Sequence, residues 1–193
     1  MVRKSVMKTR LVVVVLVLSV LGCSRPKSSP TPVVVSRPAW EVCFSPHGGC
    51  TDLVVRTLDA AQQTVLVQAY SFTSAPIARA LLNAKRRGVR VEVILDKSQR
   101  TEHYSEVDFL AHAGIPVRID ASHAIAHNKV MILDEDTVIT GSFNFTRAAE
   151  ERNADNLLVL RDAALAARYR ENWQRHRAHS AAYEQPASGG ASS

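Results

Sequence analysis

Apolar residues along this chain change their spacing several times, from every second position to every third or fourth and back. Such switching marks strands interleaved with helices. A short strand is predicted over residues 42–45. A helix follows over 51–62, with Leu53, Val54, Leu58 and Ala61 on one face and Thr51 as its cap. Residues 64–71 are rich in β-formers and predict a strand. A helix over 75–87 turns Ile77, Leu81 and Leu82 inward and ends at Gly88. A strand is predicted over 89–95, a helix over 104–113 stopped at Gly114, and a short strand over 116–119. Two strands, 129–133 and 137–141, are joined by the acidic turn Asp134-Glu135-Asp136. A strand over 156–160 precedes a closing helix over 162–177, with Leu165, Tyr169 and Trp173 spaced for one face. The pattern predicts an α/β fold, a mixed β-sheet flanked by helices in a single domain over residues 39–185. No internal repeat is visible.

The ends of the chain do not join this pattern. Residues 1–22 hold four basic residues and then an apolar run too short to cross a bilayer, which takes about 20 residues. Length and flanks fit a bacterial export signal. The run ends Val20-Leu21-Gly22-Cys23, which resembles the cleavage and acylation site of lipoproteins. Cys23 is therefore the candidate lipidation site, and an ordinary secretory signal is the alternative. Residues 23–38 are rich in Pro and Ser and read as a tether. Residues 186–193 read as a disordered tail. The expected location is the cell envelope, lipid-anchored and facing the periplasm or the exterior, or soluble after secretion in the alternative.

Removing the signal changes the charge. The whole chain carries 24 basic and 18 acidic residues, a net +6. Four of the basic residues leave with residues 1–22, so the remainder is 20 − 18 = +2. Attraction to polyanions must then come from local clusters such as Lys85, Arg86, Arg87 and Arg90. Export also makes Cys43 and Cys50 an expected disulfide, since an oxidising compartment preserves one. A metal reading that adds His47 matches no zinc spacing.

The chemistry concentrates in one stretch, H-x-K-x4-D-x6-G-S-x-N, formed by His127, Lys129, Asp134, Gly141, Ser142 and Asn144. It offers a nucleophile, a fixed cation and small hydrogen-bond donors within 18 residues. Successive side chains of a strand face opposite ways. A strand extended back to His127 would put His127, Lys129, Met131 and Leu133 on one face. Asp134 has the other parity and sits at the turn. It belongs to the motif's candidate catalytic set, with a supporting role rather than contact with a reacting atom. Lys129, Ser142 and Asn144 are candidates to bind a phosphate, and Gly141 would let backbone approach an anion closely. Asp155 is the candidate carboxylate that orients the histidine and fixes its tautomer. His103, His112, His123, His176 and His179 read as surface residues, with His123 near enough to line the cleft.

These residues, with Phe44-Ser45-Pro46, Ala69-Tyr70-Ser71-Phe72-Thr73, Gly141-Ser142-Phe143-Asn144-Phe145-Thr146 and Glu171-Asn172-Trp173, resemble the phospholipase D superfamily. Within it the chain is similar to the small, exported, single-motif bacterial endonucleases, which more usually carry Glu at the position of Asp155. The resemblance implies that His127 attacks phosphorus to give a covalent phosphohistidine, that a second histidine protonates the leaving oxygen, and that lysines with Ser142 and Asn144 hold the phosphoryl charge. It implies no metal and no cofactor.

That mechanism needs two histidines, and the motif occurs once. A homodimer with a shared active site is therefore expected. The first expectation for function is a metal-independent phosphodiesterase, a non-specific endonuclease on DNA or RNA. The alternatives are a phospholipase D that cleaves phospholipid head groups, and a non-catalytic phosphate-binding module.

Overall fold

A computed structural model of the chain describes residues 38–102 and 105–184. The export signal, Cys23, nearly all of the tether, the tail and residues 103–104, where helix 104–113 was expected to start, lie outside the described residues.

Eight strands form one mixed sheet in the order β1-β7-β6-β5-β2-β3-β4-β8. They are β1 Trp40–Phe44, β2 Thr64–Ala69, β3 Arg90–Asp96, β4 Val117–Asp120, β5 Lys129–Leu133, β6 Thr137–Gly141, β7 Asn156–Arg161 and β8 Ala181–Ala182. Strands β2, β3 and β4 run parallel, and β5 returns antiparallel beside β2. The helices are α1 Cys50–Asp59, α2 Ala75–Arg86, α3 Val107–His112, α4 Arg147–Glu151 and α5 Ala163–His179.

Both faces of the central strands are covered, which is why they read as nearly continuous apolar runs. Val65, Val67, Val93, Met131, Leu133 and Ile139 share one apolar cluster with Leu53, Leu58, Ile77 and Leu81 of α1 and α2. Leu66, Ile94, Val130, Ile132 and Val138 point the other way and pack with Ala166 and Trp173 of α5. Each fully buried Leu, Ile or Val contributes about 1.5–3 kcal/mol. The indole of Trp173 also donates to the Val67 carbonyl at 2.9 Å, fastening α5 to the middle of the sheet.

Several boundaries differ from the sequence reading for identifiable reasons. Helix α1 starts at Cys50, and its cap is Gly49, not Thr51. The Glu150 carboxylate, from α4, accepts the amides of Gly49 (3.0 Å) and Thr51 (2.7 Å), so the cap is supplied by a residue about a hundred positions away. Helix α1 stops at Asp59 because the amides of Gln62, Gln63 and Thr64 turn to the Asp134 carboxylate. Strand β5 covers Lys129–Leu133 as predicted, without the extension back to His127. Helix α4, β8 and a 3-10 turn over Lys97–Arg100 were not anticipated. Cys43 and Cys50 are bonded, with Cα atoms 5.5 Å apart, and link β1 to the first turn of α1.

Candidate active site

The register of the sheet brings one rim together. Ala69 at the end of β2 pairs with Lys129 at the start of β5. Gly141 at the end of β6 pairs with Leu157, and Asn156 at the start of β7 pairs with Phe44. The motif residues except Asp134 therefore meet at one end of the strands.

At this rim Tyr70 stands between the two leading residues. Its ring centroid lies 4.7 Å from that of His127 and 5.1 Å from Lys129 Nζ. His127 is exposed, whereas Lys129 is buried and its ammonium donates to the His127 carbonyl at 3.1 Å. Burial pushes the Lys129 ammonium below the usual lysine range, and the Asp155 carboxylate opposes part of that shift. A dehydrated cation beside an exposed imidazole suits an anion that arrives with its own charge.

The loop that delivers His127 is pinned from behind by Asp96. One carboxylate oxygen accepts the Ser98 amide at 2.9 Å and the other accepts the Ala126 amide at 2.7 Å. Burial alone would raise the Asp96 pKa, but these backbone donors outweigh it and the carboxyl lies below its ordinary value. Lys97 adds a bond to the His123 carbonyl at 2.9 Å. Asp96 was missed in the sequence because an aspartate closing a strand usually caps the following turn, which it also does here.

The opposite side of the rim is a closed network. Ser142 donates its hydroxyl to Asp155 Oδ1 at 2.8 Å and accepts the Asn156 amide at 3.1 Å. The second oxygen, Asp155 Oδ2, and the side-chain oxygen of Asn144 are buried with no hydrogen-bond partner among the described residues. Buried polar atoms without partners are rare, and two of them here mark a surface prepared for a further donor. Gly141 does not leave room for an anion. A Cβ there would meet the Asn156 carbonyl oxygen at 2.3 Å, and that carbonyl accepts the amides of both Ser142 and Phe143. Its glycine is explained by the close approach of β7.

Asp134 lies at the other end of β5. Its carboxylate accepts the amides of Gln62, Gln63 (2.7 Å) and Thr64 (3.1 Å), its own amide donates to Thr64, and its φ is 52°. Its contacts are those of a clasp between α1 and β2. Beside the rim, Tyr70, Asn144, Thr146, Arg147 and Arg152 line an open cleft of about 560 Å³. The two arginines had no signal in the sequence, since no element was predicted between residues 141 and 156.

A family model described as "Cardiolipin synthase, PLD-like domain" matches residues 54–177. A protein called phospholipase D from Rickettsia conorii is 44% identical over 144 residues, covering 75% of this chain and 72% of that protein. The mitochondrial cardiolipin hydrolase of Xenopus laevis is 33% identical over 153 residues, or 76% of this chain and 72% of that protein. The crystal structure of Nuc from Salmonella typhimurium, a phospholipase D family member, superposes with a TM-score of 0.73 at 39% identity, covering 77% of this chain and all of that one (100%). Taken with the rim that gathers His127 and Lys129, these similarities establish that the chain belongs to the phospholipase D superfamily, as a hydrolase of the phosphodiesterase type.

Proposed function

We propose that this chain is a metal-independent endonuclease of low sequence preference, working as a homodimer through a phosphohistidine. The observation that carries the reading is the pairing of exposed His127 with buried Lys129 around Tyr70, once per chain. An imidazole nitrogen of His127 attacks phosphorus, an N–P bond forms, and the P–O bond to the leaving oxygen breaks. The partner subunit's His127 protonates that oxygen. It then takes a proton from water, whose oxygen attacks phosphorus and releases His127. Lys129 and the amide of Asn144 hold the phosphoryl oxygens as charge develops. Asp155, through the unpartnered Oδ2, accepts an imidazole N–H and fixes its tautomer.

A second copy is also favoured by an exposed apolar stripe. Trp40 and Phe44 on edge strand β1 are 61% and 65% exposed, with Val42 between them and Leu158 and Leu160 beside them on β7. The stripe ends at Phe44, on the rim that carries the site, so a two-fold contact there would bring two rims together. Arg147 and Arg152 in the adjoining cleft favour a polyanion, contacted through phosphates that position without specifying sequence.

One observation favours a phospholipid instead. Ile125, two residues before His127, is 54% exposed and could enter a lipid surface. The names of the Rickettsia and Xenopus relatives point the same way. The deciding experiment offers the purified chain, in EDTA, plasmid DNA, RNA, and vesicles of phosphatidylcholine and cardiolipin in parallel. Nucleic acid cleavage lost in His127→Ala is expected. Cleavage of lipid alone would overturn the proposal.

A further inference from the structure

Away from the phosphate-handling residues, three histidines converge on one buried carboxylate. Asp120 closes β4 and is fully buried. His176 Nδ1 lies 2.7 Å from its Oδ2, His179 Nε2 lies 3.2 Å away, and His123 Nε2 lies 3.7 Å away. The three ring centroids are 5.0–5.2 Å apart. One potential ligand atom from each of the four residues falls within 4.8 Å of all the others. We infer that Asp120, His123, His176 and His179 form a binding site for one divalent transition-metal ion of the zinc class.

Hydrogen bonding alone uses this arrangement poorly. Asp120 Oδ1 already accepts the Ser122 amide at 3.1 Å. His176 and His179 take up the two lone pairs of Oδ2, and the His123 nitrogen, 3.7 Å away, faces the same oxygen beyond hydrogen-bond reach. Each imidazole offers a ring-nitrogen lone pair that a cation can take up. Three nitrogens and one oxygen complete a four-coordinate set, the closed form typical of structural zinc sites. Imidazole ligands select zinc, copper or nickel over magnesium and calcium. A tetrahedral site with ligands at about 2.0 Å has ligand atoms about 3.3 Å apart. The widest spacing here must therefore contract, and the exposed side chains of His123 and His179 are free to rotate inward.

The four ligands come from three places in the fold. Asp120 ends β4, the strand next to the β8 edge, His123 sits on the loop leading to His127, and His176 and His179 lie one turn apart on α5. A bound ion would clamp the last turns of α5 to the loop that presents His127. It would act as a fastener beside the reaction rather than as a participant in it.

The test uses the full chain, stripped with chelator and titrated with cobalt(II) and then zinc(II). One saturable equivalent is expected, with the visible bands of tetrahedral cobalt and displacement by zinc. His123→Ala with His179→Ala should weaken binding at least about tenfold, while His112→Ala should not. Both replaced side chains are exposed, and circular dichroism of the metal-free variants checks their fold. Should the double variant fail to fold, His123→Ala alone carries the same expectation. Absence of saturable uptake by the parent chain, or equal uptake by the folded variant, would overturn the site and leave a hydrogen-bonded histidine cluster.

Discussion

Ser142 donates a 2.8 Å hydrogen bond to Asp155 and thereby sets the carboxylate whose charge holds up the protonation of Lys129. Burial already places the Lys129 pKa below the usual value, and Asp155 limits the drop. Lys129 binds phosphate only when protonated, so the alkaline limb of kcat/KM is expected below the ordinary lysine pKa of about 10.4. Asp155→Asn removes the opposing charge, and the limb should move further toward neutral pH. A pH–rate profile of both proteins checks this. An alkaline limb unmoved or shifted upward in Asp155→Asn would contradict the coupling. The same sign governs stability. Between the lowered native pKa and the unfolded value the unfolded chain binds more protons, so this group's contribution to stability rises with pH there.

The shared-site mechanism makes a numerical prediction for mixed subunits. His127→Ala alone should lose about 10⁴-fold or more in kcat. After subunit exchange between equal amounts of parent and variant, about one quarter of dimers keep two intact histidines. Activity per chain should then fall to about one quarter of the parent value, whereas independent sites would give about one half. Activity of the exchanged mixture against nucleic acid reads the difference.

Asp134 is expected to act on stability and not on chemistry. Asp134→Ala removes the acceptor for the amides of Gln62, Gln63 and Thr64 and places a non-glycine residue at φ 52° without a polar partner. The cost should be about 2–3 kcal/mol, seen as a lower urea midpoint with kcat per folded chain unchanged. A large fall in kcat with normal stability would return Asp134 to the catalytic set.

Two cysteine predictions concern separate parts of the chain. Replacing Cys43 and Cys50 by Ala should cost about 2 kcal/mol, as expected for a short closed loop, measured by chemical denaturation. Cys23→Ala should abolish incorporation of a fatty-acid label and release the chain from the membrane fraction. Unchanged labelling would end the lipid-anchor reading.

The sequence was most legible where a single element contained its own logic. Strands β5 and β6 could be bounded because Lys129–Leu133 and Thr137–Gly141 flank an unmistakable acidic turn. Asp134 sits at that turn, at the end of β5 away from Lys129. What could not be read depends on partners far along the chain. Glu150 caps α1 from about a hundred residues away, and no local pattern announces that. His123, His176 and His179 each read as surface residues, because the meeting at Asp120 arises only when α5 crosses the sheet. The spacing His176-x2-His179 was the available signal, since residues three apart on a helix share a face. Gly141 was read as a place where an anion approaches the backbone, but the approaching group is the Asn156 carbonyl.

The edge position of β1 also has a mechanical side. The strand enters the domain at Trp40 and lies antiparallel to β7 over five residue pairs. Its hydrogen bonds run perpendicular to the strand, so traction on residue 38 along that axis loads them together instead of peeling them one at a time. Force that reaches Cys43 is handed by the Cys43–Cys50 bond to α1. A domain tugged by its leading segment would thus resist in shear, with the reacting rim at the end of the strand farthest from the pull.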